Sequence, residues 1–127
     1  MEKRKKILII DYSETILSIS KRVLEGAGFQ VFTTASLVEF DAIVKAEKPD
    51  LILTDINMPD IQGDKICQTL KNEHFTQDIP IILFSSIDEE ELKELAEKAQ
   101  ADGYIVKDKG PAYLVERVSN IINSILW

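Results

Sequence analysis

The sequence predicts an α/β fold in which short β-strands alternate with α-helices around a parallel sheet. Five short apolar runs, mostly rich in β-branched residues, are candidate strands, and segments with helical spacing follow each of them. This alternation is typical of a parallel sheet covered by helices on both faces. The 127 residues are 45% hydrophobic, which suits one domain, residues 1–127, with its own core.

The predicted strands are runs too short to form helices. They lie at residues 7–10, 31–32, 51–53, 79–84 and 104–106. The first, third and fourth runs are nearly unbroken in apolar residues, as expected at the centre of a parallel sheet. The second run is followed by Thr33 and Thr34, which favours an edge strand.

The predicted helices have apolar residues at helical spacing. The first contains Ile16, Ile19, Val23 and Ala27, and the second runs from Leu37 to Glu47 and is closed by Pro49. The third, residues 66–70, is shorter and its pattern is weaker. The fourth carries Leu92, Leu95, Ala96 and Ala99 under an acidic, solvated face, and the fifth opens at Pro111 and continues through Ile125.

Composition excludes several classes of function. A net charge of −7 and a pI near 4.7 argue against a nucleic-acid surface, which needs clustered Lys and Arg. The single Cys67 forms no internal disulfide, and no apolar stretch is long enough to span a membrane. We therefore expect a cytoplasmic protein whose partner is another protein or a small ligand.

Polar residues follow four of the predicted strands and meet at one edge of the sheet. The first strand ends in Asp11, the third in Asp55, the fourth in Ser85 and Ser86, and the fifth in Lys107. Ligands of open α/β sheets bind beyond the carboxyl ends of the strands. Each of these residues taken alone suits a helix cap or a surface charge, but together they describe a site for phosphoryl chemistry. Two neighbouring carboxylates favour a hard divalent cation, Mg²⁺ foremost.

At these residues the chain resembles the receiver domain of bacterial two-component response regulators. The resemblance rests on the ordered motifs ILIID, LILTDINMPDIQG, IPIILFSS, ADGYIVK and the GP at the last helix. It implies a doubly wound, flavodoxin-like three-layer sandwich with strand order 2-1-3-4-5. It also implies a phosphoprotein that is not an enzyme beyond self-phosphorylation and self-dephosphorylation.

The resemblance assigns roles to the matching residues. Asp55 matches the acceptor of a phosphoryl group from a histidine kinase or phosphotransfer protein, and Asp11, Asp55 and the backbone carbonyl of Asn57 match the metal ligands. Ser85 and Lys107 match the residues that pair with the phosphoryl group, and Tyr104 matches an aromatic that swings inward. Asn57 and Ile87 lie where the family tunes the lifetime of the phosphoryl group. The expected output surface is formed by the fourth predicted helix, the fifth strand and the fifth helix.

The chain departs from the family pattern at two positions. Tyr12 stands where receivers usually carry a second acid that contacts the metal, which predicts weaker Mg²⁺ affinity. Asp108 stands where a proline, often with a cis peptide, usually follows the lysine. Because a cis bond before a non-proline residue costs about 2.5–4 kcal/mol, we expect the Lys107–Asp108 peptide to be trans.

Two alternative functions remain open from the sequence. The first is a degenerate receiver, with Tyr12 in place of the acid, that acts as a phosphorylation-independent protein-interaction module. The second is an enzyme on a similar fold, such as an aspartyl-phosphate phosphatase or a flavin carrier. A phosphatase would need an acid where Asn57 stands, and the DYSET loop lacks the glycine and hydroxyl pattern of a flavin phosphate loop.

Overall fold

The computed structural model describes residues 4–56, 65 and 78–125 of the chain. Within these residues, five parallel strands form one sheet in the order β2-β1-β3-β4-β5. The strands are β1 (Lys6–Ile10), β2 (Gln30–Thr34), β3 (Leu51–Thr54), β4 (Ile81–Ser85) and β5 (Gly103–Val106). The predicted α/β fold class, with its doubly wound sheet and strand order, is confirmed.

Four helices lie in the described part of the chain. They are α1 (Glu14–Gly26), α2 (Leu37–Glu47), α3 (Glu89–Ala99) and α4 (Gly110–Ile125), and a 3-10 turn, Lys107–Lys109, joins β5 to α4. Thus α3 and α4 are the fourth and fifth helices predicted from the sequence. The third predicted helix, at residues 66–70, lies outside the described residues.

The core consists of two layers separated by the sheet. Alternate strand residues, such as Ile7 and Phe84, pack with α1 and α4 on one face. On the other face, Leu8 and Ile52 pack with α2, and Leu83 packs with α3. The strands β1, β3 and β4 occupy the interior of the sheet and β2 lies at an edge, as predicted.

Local hydrogen bonds fix where the helices begin. The side chains of Ser13, Ser36 and Asp88 accept backbone N–H groups in the first turns of α1, α2 and α3. Ser13 and Asp88 also stand in the loops after β1 and β4. The same residues that start the helices therefore shape the carboxyl edge of the sheet, where the predicted site lies.

Candidate phosphoryl-acceptor site

The structure brings four of the predicted site residues to the carboxyl edge of the sheet. Asp11 follows β1, Asp55 follows β3, Ser85 is the last residue of β4, and Lys107 follows β5. Asp11, Asp55 and Ser85 are all buried, although they are polar. Buried polar groups need partners, and the two aspartates share Lys107 as one of theirs.

Backbone hydrogen bonds set the two aspartates side by side. The N–H of Asp11 donates to the carbonyl of Thr34 at 3.1 Å, and the N–H of Asp55 donates to the carbonyl of Ile10 at 2.9 Å. Each bond continues the pairing of neighbouring parallel strands by one residue. The two carboxylates therefore leave adjacent strands at nearly the same level of the sheet.

The ammonium of Lys107 contacts both carboxylates. Its Nζ lies 2.6 Å from Oδ2 of Asp11 and 3.4 Å from Oδ1 of Asp55. The side chains of Lys107, Asp11 and Asp55 are only 11%, 1% and 10% exposed. Nζ also lies 5.4 Å from the centre of the Phe84 ring, whose face favours a cation. The positive charge is thus enclosed between two acids and an aromatic ring.

Asp11 is the more deeply buried of the two acids. Its Oδ1 accepts the N–H of Ser13 at 2.9 Å, while Oδ2 has the Lys107 ion pair but no aligned hydrogen-bond donor among the described residues. Burial raises the pKa of Asp11, and the contacts with Lys107 and the Ser13 N–H oppose that rise. Oδ2 is consequently a buried acceptor suited to a cation.

Ser85 presents its hydroxyl at the end of β4. The hydroxyl oxygen accepts the N–H of Ile87 at 3.2 Å, which closes a tight turn directly after β4. The side chain of Ile87 is half-buried and packs against the cluster that includes Leu83 and Leu92. An apolar group therefore lies two residues beyond the predicted phosphoryl-pairing hydroxyl.

Tyr104 has partners that the sequence did not reveal. Its ring is half-buried, and its hydroxyl donates to Oε2 of Glu89 at 3.1 Å. The sequence predicts a solvated acidic face on this helix, but Glu89, one of its acids, is only half-exposed and pairs with Tyr104. The two residues are 15 positions apart, on different elements. No repeating pattern in the sequence links them, so the pairing could not have been predicted.

Comparison with known families decides the classification of this site. The family model described as the response regulator receiver domain matches residues 7–119. The chain belongs to the response regulator receiver family. This receiver is 33% identical over 118 residues to the alkaline phosphatase synthesis transcriptional regulatory protein PhoP of Bacillus subtilis. It is 34% identical over 118 residues to the phosphate regulon transcriptional regulatory protein PhoB of Pseudomonas aeruginosa.

The receiver corresponds to only part of each of these regulators. Both alignments cover 93% of this chain but 48% of PhoP and 52% of PhoB, so the receiver spans about half the length of these relatives. A putative response regulator from Chloroflexus aurantiacus has a similar structure, with a TM-score of 0.86 and 30% identity. That comparison covers 95% of this receiver and 99% of the other chain.

Receivers generally hold Mg²⁺ in their acidic pocket, and the described residues fit such an ion. Asp11 and Asp55 already direct carboxylate oxygens at one cation, the ammonium of Lys107. Oδ2 of Asp11 is buried without an aligned hydrogen-bond donor. Oxygen donors of this kind are what Mg²⁺ prefers. No third His, Cys, Asp or Glu joins them among the described residues. The third predicted ligand, the carbonyl of Asn57, lies outside those residues.

The two departures of this receiver from the family pattern can be located. The side chain of Tyr12 is 64% exposed, beside the buried Asp11. No cis peptide occurs in the described residues, which include Lys107 and Asp108, so the predicted trans bond is confirmed. Lys107 reaches both acids with that trans bond in place. Among the described helices, none is long and apolar enough to cross a membrane.

Proposed function

We propose that this receiver accepts a phosphoryl group on Asp55 and passes the signal to a protein partner. The observation that best supports this proposal is the position of the Lys107 ammonium. Its Nζ lies between the carboxylates of Asp11 and Asp55, 2.6 Å from the first and 3.4 Å from the second. The donor we propose is the phosphohistidine of a bacterial sensor histidine kinase or phosphotransfer protein, in the cytoplasm. Neither nucleic acid nor membrane is a partner in this proposal.

The transfer exchanges one bond to phosphorus for another. An oxygen of Asp55 attacks the phosphorus, and the bond from phosphorus to the donor's imidazole nitrogen breaks, with its electron pair left on that nitrogen. Lys107 is 3.4 Å from Asp55 Oδ1, so its ammonium can neutralise charge on the incoming phosphoryl oxygens. Mg²⁺ held by Asp11, Asp55 and the Asn57 carbonyl would add further charge neutralisation.

The phosphorylated site would pull two side chains towards it. The hydroxyl of Ser85 already accepts the Ile87 N–H at 3.2 Å, and its own proton can be donated to a phosphoryl oxygen. Drawing Ser85 and Lys107 inward would shift the loop after β4 and free space for Tyr104. We expect a population shift between existing conformations, read out on the surface formed by α3, β5 and α4.

Chemical phosphorylation tests the proposal. The protein is incubated with acetyl phosphate, with and without Mg²⁺, and its intact mass is followed. We expect a phosphoryl adduct in the Mg²⁺ sample that Asp55→Asn abolishes. Asp41→Asn, at an exposed position on α2, makes the same chemical change and should keep the adduct. An adduct that persists in Asp55→Asn would contradict the proposal.

One observation favours a second candidate function. Tyr12 replaces an acid and is largely exposed, while the ammonium of Lys107 already lies 2.6 Å from Asp11 Oδ2 and offsets its charge. A degenerate receiver that binds its partner without phosphorylation would have this arrangement. If neither acetyl phosphate nor beryllofluoride changes the protein at high Mg²⁺, this second function replaces the first.

A further inference from the structure

Three side chains form a small cluster where α3, β5 and the 3-10 turn meet. The hydroxyl of Tyr104 donates to Oε2 of Glu89 at 3.1 Å, and Nζ of Lys109 lies 3.0 Å from Oε1 of the same carboxylate. Both oxygens of Glu89 are therefore engaged, one by a tyrosine and one by a lysine. We call these residues the Glu89–Tyr104–Lys109 cluster.

The cluster is fixed from the α4 side as well. Nζ of Lys109 also lies 5.1 Å from the centre of the Tyr113 ring, a cation–π distance. Arg117 donates from Nη2 to the backbone carbonyl of Tyr104 at 3.5 Å, a long bond at the geometric limit. Lys109 thus has contacts with two elements, and the Tyr104 hydroxyl is held against the first residue of α3.

We propose that Glu89 and Lys109 are positioning residues that hold Tyr104 with its hydroxyl at the start of α3. The step from this position to signalling rests on the function proposed above, in which the ring moves when Asp55 is phosphorylated. A hydrogen bond to a carboxylate is stronger than one between neutral groups. Any conformation in which the ring turns away must give it up, so the cluster biases the equilibrium towards the resting position.

The electrostatics of the three groups agree with this geometry. Contacts with Lys109 and Tyr104 lower the pKa of Glu89, which keeps the acceptor charged at neutral pH. Burial and the contact with Glu89 raise the pKa of Tyr104, which keeps the donor proton on the phenol. Glu89 in turn raises the pKa of Lys109. The cluster therefore pairs a charged carboxylate with a protonated phenol and a protonated ammonium, as its hydrogen bonds require.

The cluster is well suited to tuning because it contributes little to overall stability. The side chains of Lys109 and Glu89 are 46% and 44% exposed, and exposed ion pairs stabilise a fold only slightly. Variants should consequently remain folded with nearly unchanged melting temperatures. A change in the position of Tyr104 can then be assigned to the lost contact rather than to unfolding.

The test compares two neighbouring acids of α3. Glu89→Ala removes the acceptor of Tyr104, whereas Glu90→Ala makes the same change of charge in the same first turn. Tyrosine-selective NMR reports the ring shifts of Tyr104 and the titration of its phenol without any phosphoryl donor. We expect Glu89→Ala to move the ring resonances and lower the phenol pKa, and Glu90→Ala to leave both unchanged. Equal behaviour of the two variants overturns the proposal.

Lysine variants separate positioning from simple charge. Lys109→Met should move the Tyr104 resonances in the same direction as Glu89→Ala, but less. Lys109→Arg, which can keep the contact with the carboxylate, should restore the wild-type shifts. Lys109→Met added to Glu89→Ala should have no further effect, because Lys109 acts through Glu89. An additive effect in the double variant contradicts this role.

The binding of beryllofluoride, a phosphoryl mimic, connects the cluster to signalling. We expect Glu89→Ala to bind it roughly three- to tenfold more tightly than the wild type, because the resting state has lost a stabilising contact. If the ring shifts change but affinity does not, the proposed control of the switch is wrong. If no variant binds beryllofluoride while the ring shifts still change, the proposed function fails and the positioning role stands.

Discussion

The shorter of the two ion pairs of Lys107 is with Asp11, at 2.6 Å, and not with the proposed acceptor Asp55, at 3.4 Å. The lysine therefore contacts the same two carboxylates that would hold a metal ion. Since the neighbouring position carries the exposed Tyr12 instead of an acid, one acid fewer is available to draw Mg²⁺ in. The ammonium and Mg²⁺ should compete for Asp11.

Removing the ammonium tests this competition. In Lys107→Met, Asp11 and Asp55 lose a buried cation, so we expect the free energy of unfolding in metal-free buffer to fall by about 1–3 kcal/mol. Mg²⁺ should recover part of that loss and should bind more tightly than to the wild type. Urea unfolding with EDTA and with excess Mg²⁺ measures both effects. Lys109→Met is the control, and an equal response to Mg²⁺ in both variants would contradict the prediction.

Restoring the missing acid should strengthen metal binding. In Tyr12→Asp, an added carboxylate beside Asp11 supplies another hard oxygen ligand, and we expect the Mg²⁺ dissociation constant to fall roughly tenfold, or about 1.4 kcal/mol. Tyr12→Phe keeps the aromatic ring and adds no ligand. Calorimetric titration of both variants checks the prediction, which fails if they bind Mg²⁺ equally.

The side chain of Ile87 should lengthen the life of the phosphorylated state. It is half-buried two residues beyond Ser85 and offers no hydrogen bond to an attacking water. We expect slow self-dephosphorylation in the wild type, a several-fold faster loss in Ile87→Asn, and no change in Ile87→Val. Intact mass followed over time after removal of acetyl phosphate gives these rates. Decay of the wild type within seconds at neutral pH would rule the idea out.

The contribution of Glu89 to stability should depend on pH. Lys109 and Tyr104 lower its pKa in the folded protein, so its stabilising contribution is present above the ordinary glutamate value of about 4.3. That contribution is lost as the pH falls through the lowered pKa. We expect Glu89→Gln to melt slightly below the wild type at neutral pH, with the gap closing in acid. Glu90→Gln provides the comparison, and a gap that is constant with pH would refute the assignment.

The end of α3 offers a stabilising substitution. Gln100 is exposed and has φ of 61°, in the left-handed region that favours glycine. We expect Gln100→Gly to raise the free energy of unfolding by roughly 0.5–1 kcal/mol. Lys98→Gly, inside the same helix, should lower it by about 1 kcal/mol. Chemical denaturation of both variants measures whether the free energy of unfolding rises or falls. A loss of stability in Gln100→Gly would disprove the argument.

The sequence by itself determined the fold class and the positions of the main site residues. Apolar runs marked the strands, and the first charged residue after a run, such as Asp11 or Asp55, marked the carboxyl edge. These inferences need only the local period of the chain, because parallel strands necessarily bring their ends to one edge. Strand ends differed from the prediction by at most two residues, since hydrogen bonding carries β2 through Thr34 and β4 begins at Ile81.

Only the tertiary structure decided which of these residues touch one another. The preference of Lys107 for Asp11 depends on distances between the ends of β1, β3 and β5, which the spacing of apolar residues along the chain does not contain. The pairing of Tyr104 with Glu89 and Lys109 depends on how α3 and the 3-10 turn pack beside β5. These side-chain partners are separated by 15 and 96 positions in the chain, and packing in three dimensions brings them together. The order of apolar and polar residues along the chain does not specify such contacts.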